Sequence, residues 1–383
     1  MEINYELYLN NAMRNNWKIY RKIFNDTEIC HVLLQPDQGG AFDIQLDSLK
    51  SRLHELMCSE YLDKQSLIYT KIFVTDYINN KDRIEAALVQ SSIFCRSAIS
   101  IVEQPPLNGC KIVLLLLFIK SEGLTLTKEK EICQFELHGL THLFQSVEVP
   151  VKRGDRLDAL TTAAFAKHQK LLDSNQMSIA DNCMRTWLYV RDIDRNYKEV
   201  VKGRNDYFNA HGLTVDTHFI ASTGIGGSGA SAEVKLLVDF YSVKGLLSEQ
   251  IEYLSAPSYL NSTAEYGVAF ERGVKIAFES LHLILISGTA SIDKRGQCLY
   301  RGDVLKQAER IVVNIEQLLK NGDANLKDIA QIIVYLRDVS DTEMVSCFMQ
   351  DHFENVPYII TLAKVCRPEW LIEMECVAMT ERK

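Results

Sequence analysis

The chain has 383 residues, 47% of them hydrophobic, and a formal net charge of −8. That length predicts two or three domains with ample core material, and the absence of any long Lys/Arg cluster argues against a basic nucleic-acid face. The longest apolar run, residues 112–119, is too short to span a bilayer. No signal peptide is expected at Met1, and the ten cysteines are scattered singly, so the cytoplasm is the expected compartment. No CxxC and no His/Cys cluster at zinc spacing is present, so no metal site is expected.

One pattern recurs three times along the chain: an amphipathic helix, a strand ending in an acidic turn, a second helix, and a closing strand. In the first copy the helix is predicted over 46–57, where Leu49, Leu53 and Leu56 repeat at helical spacing. A strand over 66–74 runs into Thr75-Asp76, and the copy closes with a strand over 111–120. The second copy has a helix over 157–173, a strand over 183–190 ending at Arg191-Asp192, and a closing strand over 234–243. In the third, Gly302-Asp303 opens a helix whose core face includes Ala308, Val312, Ile315 and Leu319. Its strand over 329–336 ends at Arg337-Asp338, and its closing strand covers 371–379. Asp at each strand end suits a turn or a helix N-cap. The expected fold class is α+β with three repeats. The expected divisions are a scaffold domain over 1–130, a second domain over 131–245, and a C-terminal domain over 246–383.

The copies differ where chemistry needs them to. The first closing strand carries no acid between 112 and 118, the second carries Asp239, and the third carries Glu373 and Glu375. Strand alternation puts Leu371, Glu373 and Glu375 on one face. Burial raises a carboxyl's pKa, and a carboxyl kept protonated near neutral pH is a general acid. The same pattern also fits an edge strand with one solvated face.

The third copy resembles the RidA (YjgF) family in Ile284-Leu285-Ile286-Ser287-Gly288-Thr289-Ala290-Ser291, Gly302-Asp303-Val304, Val334-Tyr335-Leu336-Arg337-Asp338 and Ile372-Glu373-Met374-Glu375. Copies two and three together resemble the chorismatases, RidA-related enzymes that release pyruvate from chorismate. The matching stretches are Arg185-Thr186-Trp187-Leu188-Tyr189, Arg204-Asn205, Ala221-Ser222-Thr223-Gly224-Ile225-Gly226, Phe270-Glu271-Arg272-Gly273 and Val365-Cys366-Arg367-Pro368-Glu369-Trp370. The resemblance implies three RidA-like (chorismate-mutase-like) repeats forming a pseudo-trimer in one chain, as a monomer or weak homo-oligomer. It implies a small-molecule substrate, with no nucleic-acid or membrane partner and no metal or organic cofactor. Two departures stand out. The segment Val356-Pro357-Tyr358-Ile359-Ile360 lacks the Arg that RidA deaminases carry there, and Glu271 replaces the usual Ser before the Arg-Gly pair.

Within this resemblance Glu373 is the expected acid, with Glu375 either sharing its proton or structural. Arg185, Arg204 and Arg272 are the expected forks for the two carboxylates of chorismate, since guanidinium matches carboxylate bidentately. Gly273 is expected to let a ligand approach. Thr223 and Gly224 are read as part of a Gly-rich loop offering donors to an anion. Tyr189, Tyr266 and Thr289 are candidate hydroxyl donors. Cys366 and Gly273 resemble the subgroup that forms 3-hydroxybenzoate. The alternatives are the hydrolytic chorismatase giving a dihydroxycyclohexadienoate, an enamine/imine deaminase, and a non-catalytic metabolite-binding protein.

Overall fold

The computed structural model describes residues 16–129, 132–152 and 154–382, and it builds them into three mixed sheets. The first contains β1 (Trp17–Phe24), β2 (Thr27–Leu34), β3 (Leu67–Val74), β4 (Ala98–Glu103) and β5 (Ile112–Lys120), in the order β1-β2-β5-β3-β4. The second contains β6 (Thr125–Glu129), β7 (Ile132–Leu137), β8 (Leu140–Pro150), β9 (Cys183–Val190), β10 (Ala221–Gly226) and β11 (Val234–Lys244), in the order β10-β9-β11-β8-β7-β6. The third contains β12 (Ile251–Tyr253), β13 (Gly273–Ala277), β14 (Leu281–Ala290), β15 (Ile329–Leu336), β16 (Tyr358–Leu362) and β17 (Ile372–Glu381), in the order β12-β13-β14-β17-β15-β16. Once the extra edge strands β6 and β12 are set aside, the three sheets share one topology. Each has a hairpin, a closing strand in the middle, and one parallel pair at the far edge. This is the three-repeat α+β architecture read from the sequence.

The helices form where that periodicity placed them. Helix α1 (Phe42–Ser59) buries Leu46, Leu49, Leu53 and Leu56. Helix α2 (Tyr77–Ile84) is capped by Asp76, whose side chain accepts from the Asn79 amide at 3.2 Å. Helices α3 (Leu157–Ser174) and α4 (Ile193–Ala210) serve the second sheet, and α5 (Val304–Asn321) and α6 (Thr342–Phe353) the third. Asp303 caps α5, and Asp338 caps the turn before α6. Asp192 is the exception: it takes a left-handed φ of 51° and makes no side-chain cap. Each helix pair packs on one face of its own sheet. The opposite faces meet at the centre of the molecule, where Ile29 and Ile119 from the first module, Phe135 and Phe144 from the second, and Leu285 and Met379 from the third form one cluster. No helix among the described residues is long and apolar enough to cross a membrane.

Equal topology gives equal positions. Lys71, Trp187 and Ile333 lie opposite Leu115, Asp239 and Glu375 on their closing strands, and opposite Ser100, Thr223 and Ile359 on their parallel strands. At the junction of modules one and two, the buried Asp239 accepts from Ser100 Oγ and from Ser146 Oγ, with Lys71 Nζ at 3.7 Å. Burial there holds the Lys71 amine below its usual pKa. Removing one partner of a buried pair strands the other. Asp239→Ala therefore lowers the unfolding free energy by about 3 kcal/mol. The double variant Lys71→Met/Asp239→Leu loses much less. Denaturant titration of the single and double variants checks both.

Candidate active site

Strand β17 lies between β14 and β15, not at an edge. Its two acids are buried, Glu373 to 4% and Glu375 to 5% exposure, which rules out the solvated-face reading. Across from Glu375 the pairing with β14 slips between Ile286 and Thr289. Such a bulge re-aims the backbone. It leaves the Gly288 amide to donate to Thr223 Oγ1 at 2.9 Å, and Ser287 Oγ to accept from the Ser222 amide at 2.9 Å.

Glu375 is fully partnered from the neighbouring module. Its Oε1 accepts from Trp187 Nε1 at 2.8 Å, and its Oε2 accepts from Arg185 Nη2 at 2.8 Å and from Thr223 Oγ1. Arg185, 1% exposed, also donates to Ser287 Oγ at 3.2 Å. Glu373 sits two residues along, across the ladder from Tyr335 and Ala290. Its pKa is raised to about 8, first by burial and then by the negative charge of Glu375, with Arg272 and Arg185 pulling it back. Glu373 is therefore a neutral carboxylic acid at pH 7. Gly288 makes room for it: a Cβ there would overlap Glu373 Oε1 and lie 3.0 Å from Thr223 Cγ2.

Glu373 faces a space of about 30 Å³, room for about one water. Helix α4 contributes Tyr197 and Arg204, β10 contributes Ser222 and Gly224, and the approach to β13 contributes Phe270 and Arg272. Gly288 and Ala290 of β14 form another side, and the loop before β17 brings Cys366, Arg367 and Trp370. Three arginines thus line the space that one neutral acid faces. Burial and Glu373 push the Cys366 thiol far up, so it is a thiol and not a thiolate nucleophile. Trp370 Nε1 is buried and has no hydrogen-bond partner among the described residues. Beyond Phe270 and Arg272 lies a second cavity of about 260 Å³, lined also by Leu260, Asn261 and Thr263.

Of the residues singled out in the sequence, Arg204, Gly224, Arg272, Cys366 and Glu373 come together around this space. Arg185 and Thr223 do not line it. They stand one layer behind, committed to Glu375, so Arg185 orients an acid where the sequence suggested a ligand fork. The stretch read as a Gly-rich loop is strand β10, because Ala221–Gly226 pairs in parallel register with β9. The space beside Gly273 is filled by Ile286 and Leu254, so its missing side chain serves packing. Tyr189 lies at the other junction, with Lys71 Nζ 4.4 Å from its ring centroid. Thr289 is buried and donates to the Ser287 carbonyl at 2.9 Å. Tyr266 sits on the turn Thr263–Tyr266, and its side chain lies outside the described residues. The sequence reading passed over Arg367, Tyr197 and Trp370. Tyr197 falls seven residues before Arg204 on one helix face, and Arg367 and Trp370 lie in the stretch that ends at Glu373.

A carboxyl with a raised folded-state pKa holds its proton after the unfolded chain has released it, so stability falls as pH rises between the two values. Glu373→Gln removes this effect. Its melting temperature should gain on the parent progressively between about pH 4.5 and 8 and stay ahead by a constant margin above that. A pH-independent difference would mean that Glu373 ionises normally. Gly288→Ala should displace the Glu373 carboxyl and destabilise the fold by about 1–3 kcal/mol, read by thermal and denaturant unfolding.

Residues 269–380 match the Endoribonuclease L-PSP family. A RutC family protein of Pyrococcus abyssi is 29% identical over 102 residues, which cover 26% of this chain and 80% of that protein. A RutC family protein of Pyrococcus horikoshii is 26% identical over 107 residues, 27% of this chain and 85% of its own length. The crystal structure of a chorismatase superposes with a TM-score of 0.62 over 82% of this chain and 93% of its own, at 17% identity. The C-terminal match and the archaeal relatives place the third module in the RidA/YjgF superfamily, and the chain as a whole shares its fold with a chorismatase.

Proposed function

We propose that the chain is a chorismatase that converts chorismate to 3-hydroxybenzoate and pyruvate, with Glu373 as general acid. The observation that carries this reading is a neutral, buried carboxylic acid ringed by Arg204, Arg272 and Arg367. Chorismate brings two carboxylates and an enol ether, so it needs cations at its ends and a proton at the methylene carbon. Arg guanidinium groups match carboxylates as planar forks. Glu373 donates its proton to the methylene carbon, and positive charge develops on the side-chain carbon next to the ether oxygen. The neighbouring ring hydroxyl assists departure of the side chain, the ring passes through an epoxide, and proton loss aromatises it. The overall change consumes no net water. Glu375 is a positioning residue: its charge holds the proton on Glu373, and Arg185, Trp187 and Thr223 hold Glu375.

The space facing Glu373 is far smaller than chorismate. Admission requires Phe270 and Arg272 to move aside, which would join it to the adjacent 260 Å³ cavity. Cys366, as a neutral thiol beside the acid, keeps the reacting face less hydrated than a polar side chain would. That favours the aromatic product over the diene diol, which needs a water.

Purified protein with chorismate, followed by proton NMR, tests the reading. Expected are pyruvate and 3-hydroxybenzoate in equal amounts, with Glu373→Gln slower by about 10²- to 10⁴-fold. Since the acid must carry its proton, kcat/KM should fall as pH rises through about 8. Pyruvate with a non-aromatic diene moves the protein to the hydrolytic reaction. Unchanged chorismate removes the chorismatase reading.

A further inference from the structure

A cavity of about 410 Å³ lies where the three sheets meet, apart from the Glu373 site. All three modules line it: His31 and Leu117 from the first, Phe135 and His142 from the second, Leu285 and Val377 from the third. Its size is that of a small-molecule pocket, and its wall is of the kind such pockets have, mostly apolar with few polar groups. The aromatic side is ordered. Phe135 stacks on His142 with ring centroids 4.2 Å apart, Phe144 on Tyr241 at 4.7 Å, and Tyr69 on Phe144 at 5.0 Å. The mouth is ringed by the three hairpin turns. His138 Nε2 meets Thr27 Oγ1 at 2.8 Å, and His138 Nδ1 lies 3.6 Å from Glu279 Oε2.

Two side chains on this wall, Tyr69 and His142, have a buried polar atom, Oη and Nε2, with no hydrogen-bond partner among the described residues. His142 is 3% exposed; its Nδ1 is bonded to Tyr241 Oη at 2.8 Å, and its Nε2 has no hydrogen-bond partner among the described residues. Burial keeps this ring neutral, and His31 likewise, so the interior offers no formal charge to pair with an ion. Either tautomer of His142 is open to it, so Nε2 is a donor or an acceptor according to what Tyr241 does. A hydroxyl satisfies both cases.

We propose that this axial cavity is a second ligand site, for an uncharged flat aromatic molecule carrying one hydroxyl that bonds His142 Nε2. Trp187 lines the same cavity while donating to Glu375, so the occupant touches the residue that holds the positioning acid.

Isothermal titration calorimetry with 2-naphthol, naphthalene and 2-naphthoate tests this on the parent chain, on His142→Phe and on the plugged variant Leu117→Trp, each checked for folding by circular dichroism. Expected is 1:1 binding of 2-naphthol with a dissociation constant of roughly 100 µM or tighter, not displaced by 2-naphthoate. His142→Phe should weaken 2-naphthol about tenfold, the worth of one hydrogen bond, and leave naphthalene unchanged. Leu117→Trp should abolish both. No binding of either neutral ligand to the parent chain overturns the proposal. So does 2-naphthol binding that is equal in the parent chain and His142→Phe. Should the plugged variant misfold, the comparison of the two neutral ligands on His142→Phe decides alone.

Discussion

The Arg185–Glu375 pair is the interaction on which the rest of the site depends. It crosses from the second module to the third at 2.8 Å, with both partners almost fully withdrawn from water. Two charges in such a place survive only with good geometry and with their remaining hydrogen-bonding capacity satisfied. Trp187, Thr223 and Ser287 supply that satisfaction. The result is a fixed negative charge two residues from Glu373, and it adds to burial in keeping Glu373 protonated. Because Arg185 and Glu375 belong to different modules, the acid is tuned only when the two modules are docked. Folding and acid–base chemistry are one event at this junction.

The three junctions show what happens where that tuning is not required. At the first, Asp239 takes the place of Glu375, Ser100 the place of Thr223, and Lys71 supplies the cation. The polar frame is kept, but Leu237 stands where the third module has Glu373, so the acid at that strand position is missing. The sheet of the first module has Leu115 at the acid's place, and the sheet of the third has Ile359 at the hydroxyl's. Replacing buried charges by apolar residues of similar size is often neutral or stabilising. A single chain with three non-identical modules can relax each junction on its own. Three identical subunits would have to carry the same costly cluster three times.

The sequence made the fold legible because its signal is periodic. Helical spacing of Leu49, Leu53 and Leu56, and strands ending in Asp76, Asp192 and Asp338, marked the modules to within a few residues. Glu373 was legible for a related reason, since two acids on an otherwise apolar strand are an energetic anomaly. The arginines were harder. Arg185 lies in an apolar strand and Arg204 in the polar run Lys202-Gly203-Arg204-Asn205-Asp206, and neither setting names the partner. Which of them meets a carboxylate of the protein and which faces the cavity depends on packing between modules, and no local pattern encodes that. Gly224 lines the space facing Glu373 and Gly273 does not. Glycine marks close approach, but not what approaches: Tyr197 at one and Ile286 at the other. Tyr189 is the equivalent of Tyr335 in the neighbouring module, and so lies at the other junction.

The same electrostatics couple substrate and proton. Around Glu373 the arginines carry positive charge and the acid carries none while its proton remains. A doubly negative ligand held by those arginines would neutralise Arg272, which pulls the Glu373 pKa down. Its own charge would also disfavour ionisation of the carboxyl, as any like charge nearby does. Both effects move the pKa of the complex further up than that of the free protein. By linkage, a ligand that tightens the proton is itself bound more tightly by the protonated form. On the chorismate reading, the dianion then recruits the acid it needs: the species that binds best is the one already carrying the proton to be transferred. The small volume beside Glu373 works in the same direction, because excluding water strengthens every charge interaction inside. Arg185 and Glu375 do not touch the ligand in this account. They keep Glu373 where its loss of a proton is expensive until an acceptor carbon is in reach.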